Sequence, residues 1–559
     1  LRRGVADIDA FRQDLRRQFG DAIDALELGD LTGRTQAATT VQRAIRPEVT
    51  ALAVFAALAA MVGLVLVLQA VARQARADGP WLDELRAIGF TRAQLAGVAL
   101  APAVVAGAVG AAVAAVVAVL ASPLGPVGLA RPLEPHPGIR FDPTVLLAGP
   151  VILFAVTLVA AVPLVWWSLR RSAPDAGRGP GVPALRTPLP VAVVVGIRGA
   201  RGRRRDGAPA GVAVAGLAVG AGALAAAVMF AGSLDHLVHT PRLYGWESDA
   251  TVFDSYGAVD DDAIAAALAA EPAVADFAPR LGGSGTIGGR PVELQAVDGT
   301  AFAPVLSAGR APRGADEVVL GRRTRRQAHT RVGGTVQIAA GDTPRSFRVV
   351  GEAVLAGSLG DGARLTPAGL RALLPDAEVN TFLLRFRRGT DQEAAIARLG
   401  VPFQHLPVGP ELERPARPVD VANLERVGSL PFLLAGVLAL GALASLVHAL
   451  AVGRRRLRRE LAVLRSIGFT GRQVAAAVVA HAVALTGAGL AIGLPLGIAA
   501  GRWLWLLFAD ELGVVGDPVT SVPFLVAAVP VAVLLALAVA AVPARGAARL
   551  RPAPVLRTE

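Results

Sequence analysis

The sequence predicts an α-helical integral membrane protein, with seven transmembrane helices in two parallel three-helix repeats plus a connecting helix, and one extracytoplasmic α+β domain. Three observations predict it. Of the 559 residues, 53% are hydrophobic and 18% charged, whereas soluble domains carry about 25% charged residues. The apolar residues gather into seven stretches, 51–72, 95–121, 145–169, 211–230, 430–452, 474–500 and 522–542. Each is long enough for a bilayer core, which takes about 20 helical residues. The arginines alternate: "RQAR", "RGARGRRR", "GRRRLRRE" and "ARGAARLR" follow the first, third, fifth and seventh stretches, while loops 122–142 and 501–521 hold only Arg131, Arg140 and Arg502.

That alternation sets the orientation, because loops rich in basic residues stay in the cytoplasm. The chain divides into an extracytoplasmic segment 1–50, a first repeat 51–170, a cytoplasmic linker 171–210 and a connecting transmembrane helix 211–231. An extracytoplasmic domain 232–425, a second repeat 426–549 and a cytoplasmic tail 550–559 follow. No lysine occurs, so all 56 basic residues are arginine, and the formal charge of +12 belongs to topology. A nucleic-acid partner would need a basic face on a folded domain, and none is evident. With no cysteine, disulfides, thiolate nucleophiles and cysteine metal sites are excluded.

Each repeat opens with a helix running inward and ending in arginines. A cytoplasmic turn, a long small-residue helix, an outside loop and a last helix going back in follow. "FDP" at 141–143 matches "GDP" at 516–518, and "AVP" occurs at both 161–163 and 541–543. Two copies with the same crossings and charge pattern are parallel repeats related by an axis along the membrane normal. The Gly-, Pro- and Arg-rich linker between them is expected to have little fixed structure. The polar segment 232–425 is too long for a loop. Within it "EVVLG", "TVQIA", "FRVVGEAV" and "TFLLRF" read as strands, and "DDDAIAAALAA" and "DQEAAIARLG" as short helices with acidic N-termini.

The turns are the most informative stretches: "DELRAIGFTRAQL" begins at Asp83 and "AVLRSIGFTGRQV" at Ala462. Leu82, Leu85 and Ile88, like Leu461, Leu464 and Ile467, recur every third residue, giving a short helix with an apolar stripe. Arg86 and Arg465 lie beside the stripe, and Glu460 precedes it. Gly89 and Gly468 supply the terminator. Thr91 with Gln94, and Thr470 with Gln473, fit capping boxes that start the next helix. Such a helix could merely anchor the turn at anionic lipid headgroups, or form one of two symmetric elements gripped by a symmetric partner.

Both turns resemble the cytoplasmic motif of the FtsX-like permease family: a basic run, Glu-Leu/Ile-Ala, then Leu-Arg-Ala/Ser-Ile/Leu-Gly. The second matches as Arg454–Arg459, Glu460, Leu461, Ala462, Leu464, Arg465, Ser466, Ile467 and Gly468; the first departs, with Trp81 in the place of Glu460. The outer "GDTPRSFRVVGEAV" also resembles that family. The resemblance implies the permease half of an ABC transporter of the MacB and lipoprotein-releasing type, multi-pass in the cell membrane. Its partners would be a separate cytoplasmic ABC ATPase acting as a dimer, membrane lipids, and an unidentified extracytoplasmic substrate or partner. ATP and Mg would be cofactors of that ATPase, and none is implied for this chain. Glu460, Leu461, Leu464, Arg465, Ile467 and Gly468, with Leu82, Leu85, Arg86, Ile88 and Gly89, would couple to it. Actinobacterial members with duplicated modules usually begin with one more helix and a first outer domain, so residues 1–50 are expected to be the tail of a missing one.

No enzymatic site is expected. A P-loop needs its lysine against the β/γ-phosphates, and the chain has none. His236 and His239 are close enough for a metal but lack a third ligand. His448 and His481 fall in or near membrane helices, where an ionisable group is functional by default unless a neighbouring helix satisfies it. Asp510 and Glu511 are expected in an outside loop facing water. Gly489, Gly493, Gly497 and Gly501 form a small-residue face for close helix contact, against the other module or their own neighbours. The weaker series is Ala103, Gly107, Ala111 and Ala115. The alternatives to an ABC permease are a membrane-anchored sensor or scaffold with a ligand-binding outer domain, and a secondary transporter. The latter would place polar groups near the midplane, and these helices have almost none.

Overall fold

Long helices form wherever small and aliphatic residues run without interruption, and local signals fix their ends. The computed structural model describes residues 79–124, 138, 142–170, 190–201, 210–254, 259–299, 301–340, 343–356, 359–401, 410–414 and 464–548, with scattered positions between 53 and 71 and between 418 and 462. After a short helix α1 (Gly79–Ala87) come α2 (Arg92–Ala121) and α3 (Pro143–Arg170). Leu82, Leu95, Ala99, Ala103, Ala161 and Val165 form their shared core. A Cβ on Gly107 would lie 3.0 Å from the Phe154 ring, so the first small-residue face meets α3.

The expected structureless linker contains α4 (Val191–Arg201). Its apolar run packs on a later helix so closely that a Cβ on Gly196 would sit 2.8 Å from the Ala480 Cβ. Next, α5 (Ala210–His239) extends past the predicted 211–230. It packs along α10 (Gly471–Leu512). The intervening elements are α6 (Asp261–Ala270), α7 (Arg322–Gln327), α8 (Pro367–Leu373) and α9 (Gln392–Gly400), and α11 (Val522–Ala548) follows α10.

The predicted end of α10 near residue 500 is corrected. Gly501 belongs to the face against α5, and "WLWLLFA" carries the helix on to Gly513. There a left-handed φ of 80° stops it, a conformation glycine adopts without steric cost. At about 1.5 Å per residue, its 42 residues span roughly twice the hydrocarbon core.

Five described helices are long and apolar enough to cross a membrane: Arg92–Ala121, Pro143–Pro163, Ala213–His239, Gly471–Leu512 and Val522–Ala548. With the sheet domain, they make the architecture of a membrane protein carrying a domain outside the bilayer. The predicted first and fifth spans, 51–72 and 430–452, lie largely outside the described residues, as does segment 1–50. Burial separates the five: 61% of the apolar window of α5 is buried, against 6% in α2. The helix read as a connector is therefore a central member of the second unit.

The sheet domain holds ten described strands, ordered β10-β1-β9-β2-β3-β8-β5-β7-β4, with β6 beside β2 and β7. They are β1 (Ala250–Phe253), β2 (Val274–Ile287), β3 (Arg290–Val297), β4 (Val305–Gly309), β5 (Glu317–Gly321), β6 (Thr335–Ala340), β7 (Thr343–Val354), β8 (Ala363–Leu365), β9 (Val379–Phe386) and β10 (Glu411–Glu413). The four strands read from the sequence coincide with β5, β6, β7 and β9, and the two acidic-ended helices with α6 and α9. Asp391 caps α9, accepting from the amides of Glu393 and Ala394. Two lobes share the long β2. One core gathers Val252, Ile264, Leu268, Phe382 and Leu384 under α6 and α9. The other gathers Leu294, Val318, Leu320, Ile338, Phe347 and Leu370.

Candidate functional site

The two turns have the same backbone. In the first, the Gly89 amide donates to the Arg86 carbonyl at 3.1 Å and the Phe90 amide to Leu85 at 3.2 Å. In the second, Gly468 donates to Arg465 at 3.1 Å and Phe469 to Leu464 at 3.1 Å. This pair of bonds is the Schellman ending. It requires a left-handed residue, and the φ values of Gly89 and Gly468 are 104° and 106°. Both capping boxes then close. The Thr91 amide donates to Gln94 Oε1 at 2.9 Å and that of Thr470 to Gln473 Oε1 at 2.8 Å, and each threonine hydroxyl accepts the glutamine amide in return.

The predicted stripe splits in two. Leu82 is buried and Leu85 partly buried in the α2–α3 core, and Leu464 packs with Phe469 against Val474, Val478, Ala544 and Ala547. Ile88 and Ile467, by contrast, are 77% and 71% exposed. The cause is geometric: a step of three residues falls about 60° short of a full helical turn, so two steps carry the last residue off the buried face. Arg465 is engaged locally, donating to the Ala548 carbonyl at 2.7 Å. It pins the turn to the end of α11, where a cation also suits the helix dipole. Glu460 and Leu461 lie outside the described residues. Trp81 is half exposed on α1.

The four glycines of α10 all meet α5. A Cβ on Gly489 would fall 2.6 Å from Leu217 Cβ, and one on Gly501 2.9 Å from Ala226 Cα; those on Gly493 and Gly497 would overlap the carbonyls of Ala218 and Gly222. His481 meets the Gly196 carbonyl of α4 at 3.3 Å, so a neighbouring helix satisfies it. His448 lies outside the described residues. His236 faces Asp517 at 3.4 Å. No cluster of three or more metal-ligating side chains occurs among the described residues.

Asp510 is the main correction. Instead of facing water from a loop, it stands on the last turn of α10 and pairs with two arginines of α7: Arg322 at 2.6 Å and Arg326. Arg322 also holds Glu352 at 2.7 Å, and Arg325 holds it at 2.6 Å. Arg323 reaches the Glu511 carbonyl at 3.3 Å. No local sequence signal pairs residues so far apart in the chain.

Burial pushes the Glu352 carboxyl up, but hydrogen bonds from Arg322, Arg325 and Ser307 outweigh it and hold the group below its ordinary 4.5. Glu317 is also held low, by Arg310 first and then by the Arg313 amide. Carboxyls depressed in the folded state contribute stability above their ordinary value and lose it as pH falls through the depressed one. Acidification from pH 5 to 3 is therefore expected to loosen β5 and β7. Amide hydrogen exchange of the full chain in nanodiscs checks this, and Glu352→Gln should flatten the response at β7. A pH-independent profile would refute it.

Residues 210–400 match the family model of the MacB-like periplasmic core domain, and residues 432–552 that of the FtsX-like permease C-terminal domain. No curated protein matches. Among solved structures, the periplasmic region of MacB from Actinobacillus actinomycetemcomitans is similar, with 13% identity over 32% of this chain and 94% of that one, at a TM-score of 0.24.

Proposed function

Carrying a MacB-like periplasmic core domain followed by an FtsX-like permease domain, the chain is an FtsX/MacB-like ABC transporter permease, and we propose that it converts ATP hydrolysis by a separate ATPase into movement of its outer domain. Permeases of this kind work with a cytoplasmic ABC ATPase. The observation that carries the proposal is the matched pair of turns, each rigidly capped and each presenting an isoleucine to solvent. An apolar side chain held out on a stiff corner suits a cleft on a partner, while the leucines behind it fix the corner to the membrane helices. Two such corners suit a paired ATPase. ATP and Mg would be bound by that partner, since this chain has no lysine for a P-loop.

In this reading the chain crosses the cell membrane seven times. Residues 51–170 and 426–549 form two parallel modules, 171–210 and the C-terminal tail lie in the cytoplasm, and 232–425 lie outside. Single cysteines at Arg388 and Arg472 test the map in a chain with no native cysteine. An impermeant thiol reagent on intact cells should label Arg388→Cys and spare Arg472→Cys. The reverse pattern would invert the topology. The functional test is co-expression with candidate ABC ATPases. Co-purification of one, with ATP turnover that rises when the chain is present in nanodiscs, is expected. A chain that neither retains such an ATPase nor alters its turnover would be a sensor or scaffold.

A further inference from the structure

Besides its chain connections, the sheet domain meets the membrane helices through the loop after β7 and through α7. The loop after β7 returns through Leu359, whose φ of 49° is uncommon for a branched side chain. Its side chain is buried with Phe230, Leu237, Trp505 and Leu512 at the ends of α5 and α10. Gly360 and Gly513 meet backbone to backbone, so a Cβ on Gly513 would fall 2.5 Å from Gly360 Cα. The Gly360 carbonyl in turn accepts the Arg323 amide at 2.7 Å. Asp510 lies beside this plug in the grip of Arg322 and Arg326. Apolar insertion and ion pairing thus act on the same few residues of α10.

We propose that Leu359 and Asp510 form the joint through which α10 drives the outer domain, Leu359 as a plug and Asp510 as a clamp on α7. Both are positioning residues, and the proposal rests on the permease reading only for the source of the motion. The clamp grips the lobe built on β5, β7 and β8. The chain itself enters and leaves through the other lobe, by β1 and β10. A displacement of α10 would therefore act on one lobe while the connections hold the other, and the domain would flex across β2.

The test begins without any ATPase. Spin labels at Arg331→Cys and Thr520→Cys, both exposed, read the distance across the joint in the full chain. A pair at Arg331→Cys and Arg371→Cys reports on the sheet domain alone. The native chain should give one narrow distribution across the joint. Asp510→Arg combined with Leu359→Gly should broaden it and leave the second pair unchanged. Glycine at 359 suits the left-handed backbone, so loosening there traces to the lost side chain. Reversing the partners as well (Asp510→Arg with Arg322→Asp and Arg326→Asp, Leu359 retained), with Glu352→Gln to neutralise the carboxylate that Arg322 also pairs, should restore the narrow distribution. An unchanged distribution in the first variant overturns the joint, and broadening that charge reversal does not restore overturns the clamp.

With a partner ATPase bound, ATP should alter exchange protection in β5 and β7 of the native chain. In Asp510→Arg/Leu359→Gly that response should vanish while turnover continues; a response that survives with the joint open overturns the drive. Absence of any ATP effect in the native chain would count against the permease reading, leaving the label distances to decide the joint.

Discussion

Ile467→Asp is expected to release the partner ATPase while leaving the permease folded. Truncating a buried hot-spot side chain costs about 2 kcal/mol or more at an interface, roughly thirtyfold in affinity, and a buried carboxylate costs more. In the free chain Ile467 is 71% exposed, so the same change should cost the fold within about 0.5 kcal/mol. Leu464→Ala is the contrast: that side chain packs between the turn and α11, so its loss should lower thermal stability as well as coupling. Ile88→Asp should resemble Ile467→Asp, with a smaller effect if the first turn, where Trp81 replaces the family's glutamate, contributes less. Co-purification and ATP turnover in nanodiscs, measured beside melting temperature, separate the two classes. Native turnover in the Ile467→Asp/Ile88→Asp double variant would reduce the turns to membrane-surface anchors.

The second large effect is expected inside the membrane. Gly493→Leu or Gly497→Leu should part α5 from α10, because even a Cβ at either position would overlap backbone carbonyls of Ala218 or Gly222. Backbone cannot rotate aside as a side chain does, so the cost should exceed the about 1–3 kcal/mol typical of overpacking. Gly487 is the control. A Cβ there would meet nothing within 4 Å, and Gly487→Ala should be neutral or slightly stabilising, as alanine is the better helix former by about 1 kcal/mol. Thermal unfolding in detergent and spin-label distances between α5 and α10 report the difference. Equal stability of Gly497→Leu and Gly487→Ala would show that the helices do not depend on this face.

What the sequence revealed followed the range of the signal. The turns were legible because glycine, threonine and glutamine act within a few residues, and each predicted terminator and cap closes as read. Strands β5, β6, β7 and β9 were legible from their apolar, β-branched composition. The hairpin of β2 and β3 was not. Pro279, Gly282, Gly283 and Gly285 interrupt β2, and the last three glycines are there because Asn380, Leu374 and Leu294 approach closely. Nor was α7 legible, being a short run of polar residues with no apolar face to count. The extent of α10 was misjudged because residues 501–521 were read as an outside loop, whereas the helix runs on to Leu512. The Asp510 clamp joins groups 184 and 188 residues apart, a distance over which composition carries no register.

Strands β1 and β10 lie side by side, with Thr251 opposite Glu413. The order in which the domain is made therefore differs from the order in which it closes. The domain's first strand must wait for β9, where Leu383 stands opposite Thr251, and its other edge is closed only by β10, 162 positions later. At about 5–20 residues per second, synthesis of that interval takes roughly 10–30 s. For most of it Val252 and the apolar side of α6 lack the β9 residues that will cover them. In the proposed topology, biogenesis thus includes a period in which a membrane-tethered, half-made sheet stands exposed outside the membrane, and holding chaperones there would act on the nascent first lobe before the second permease module is made.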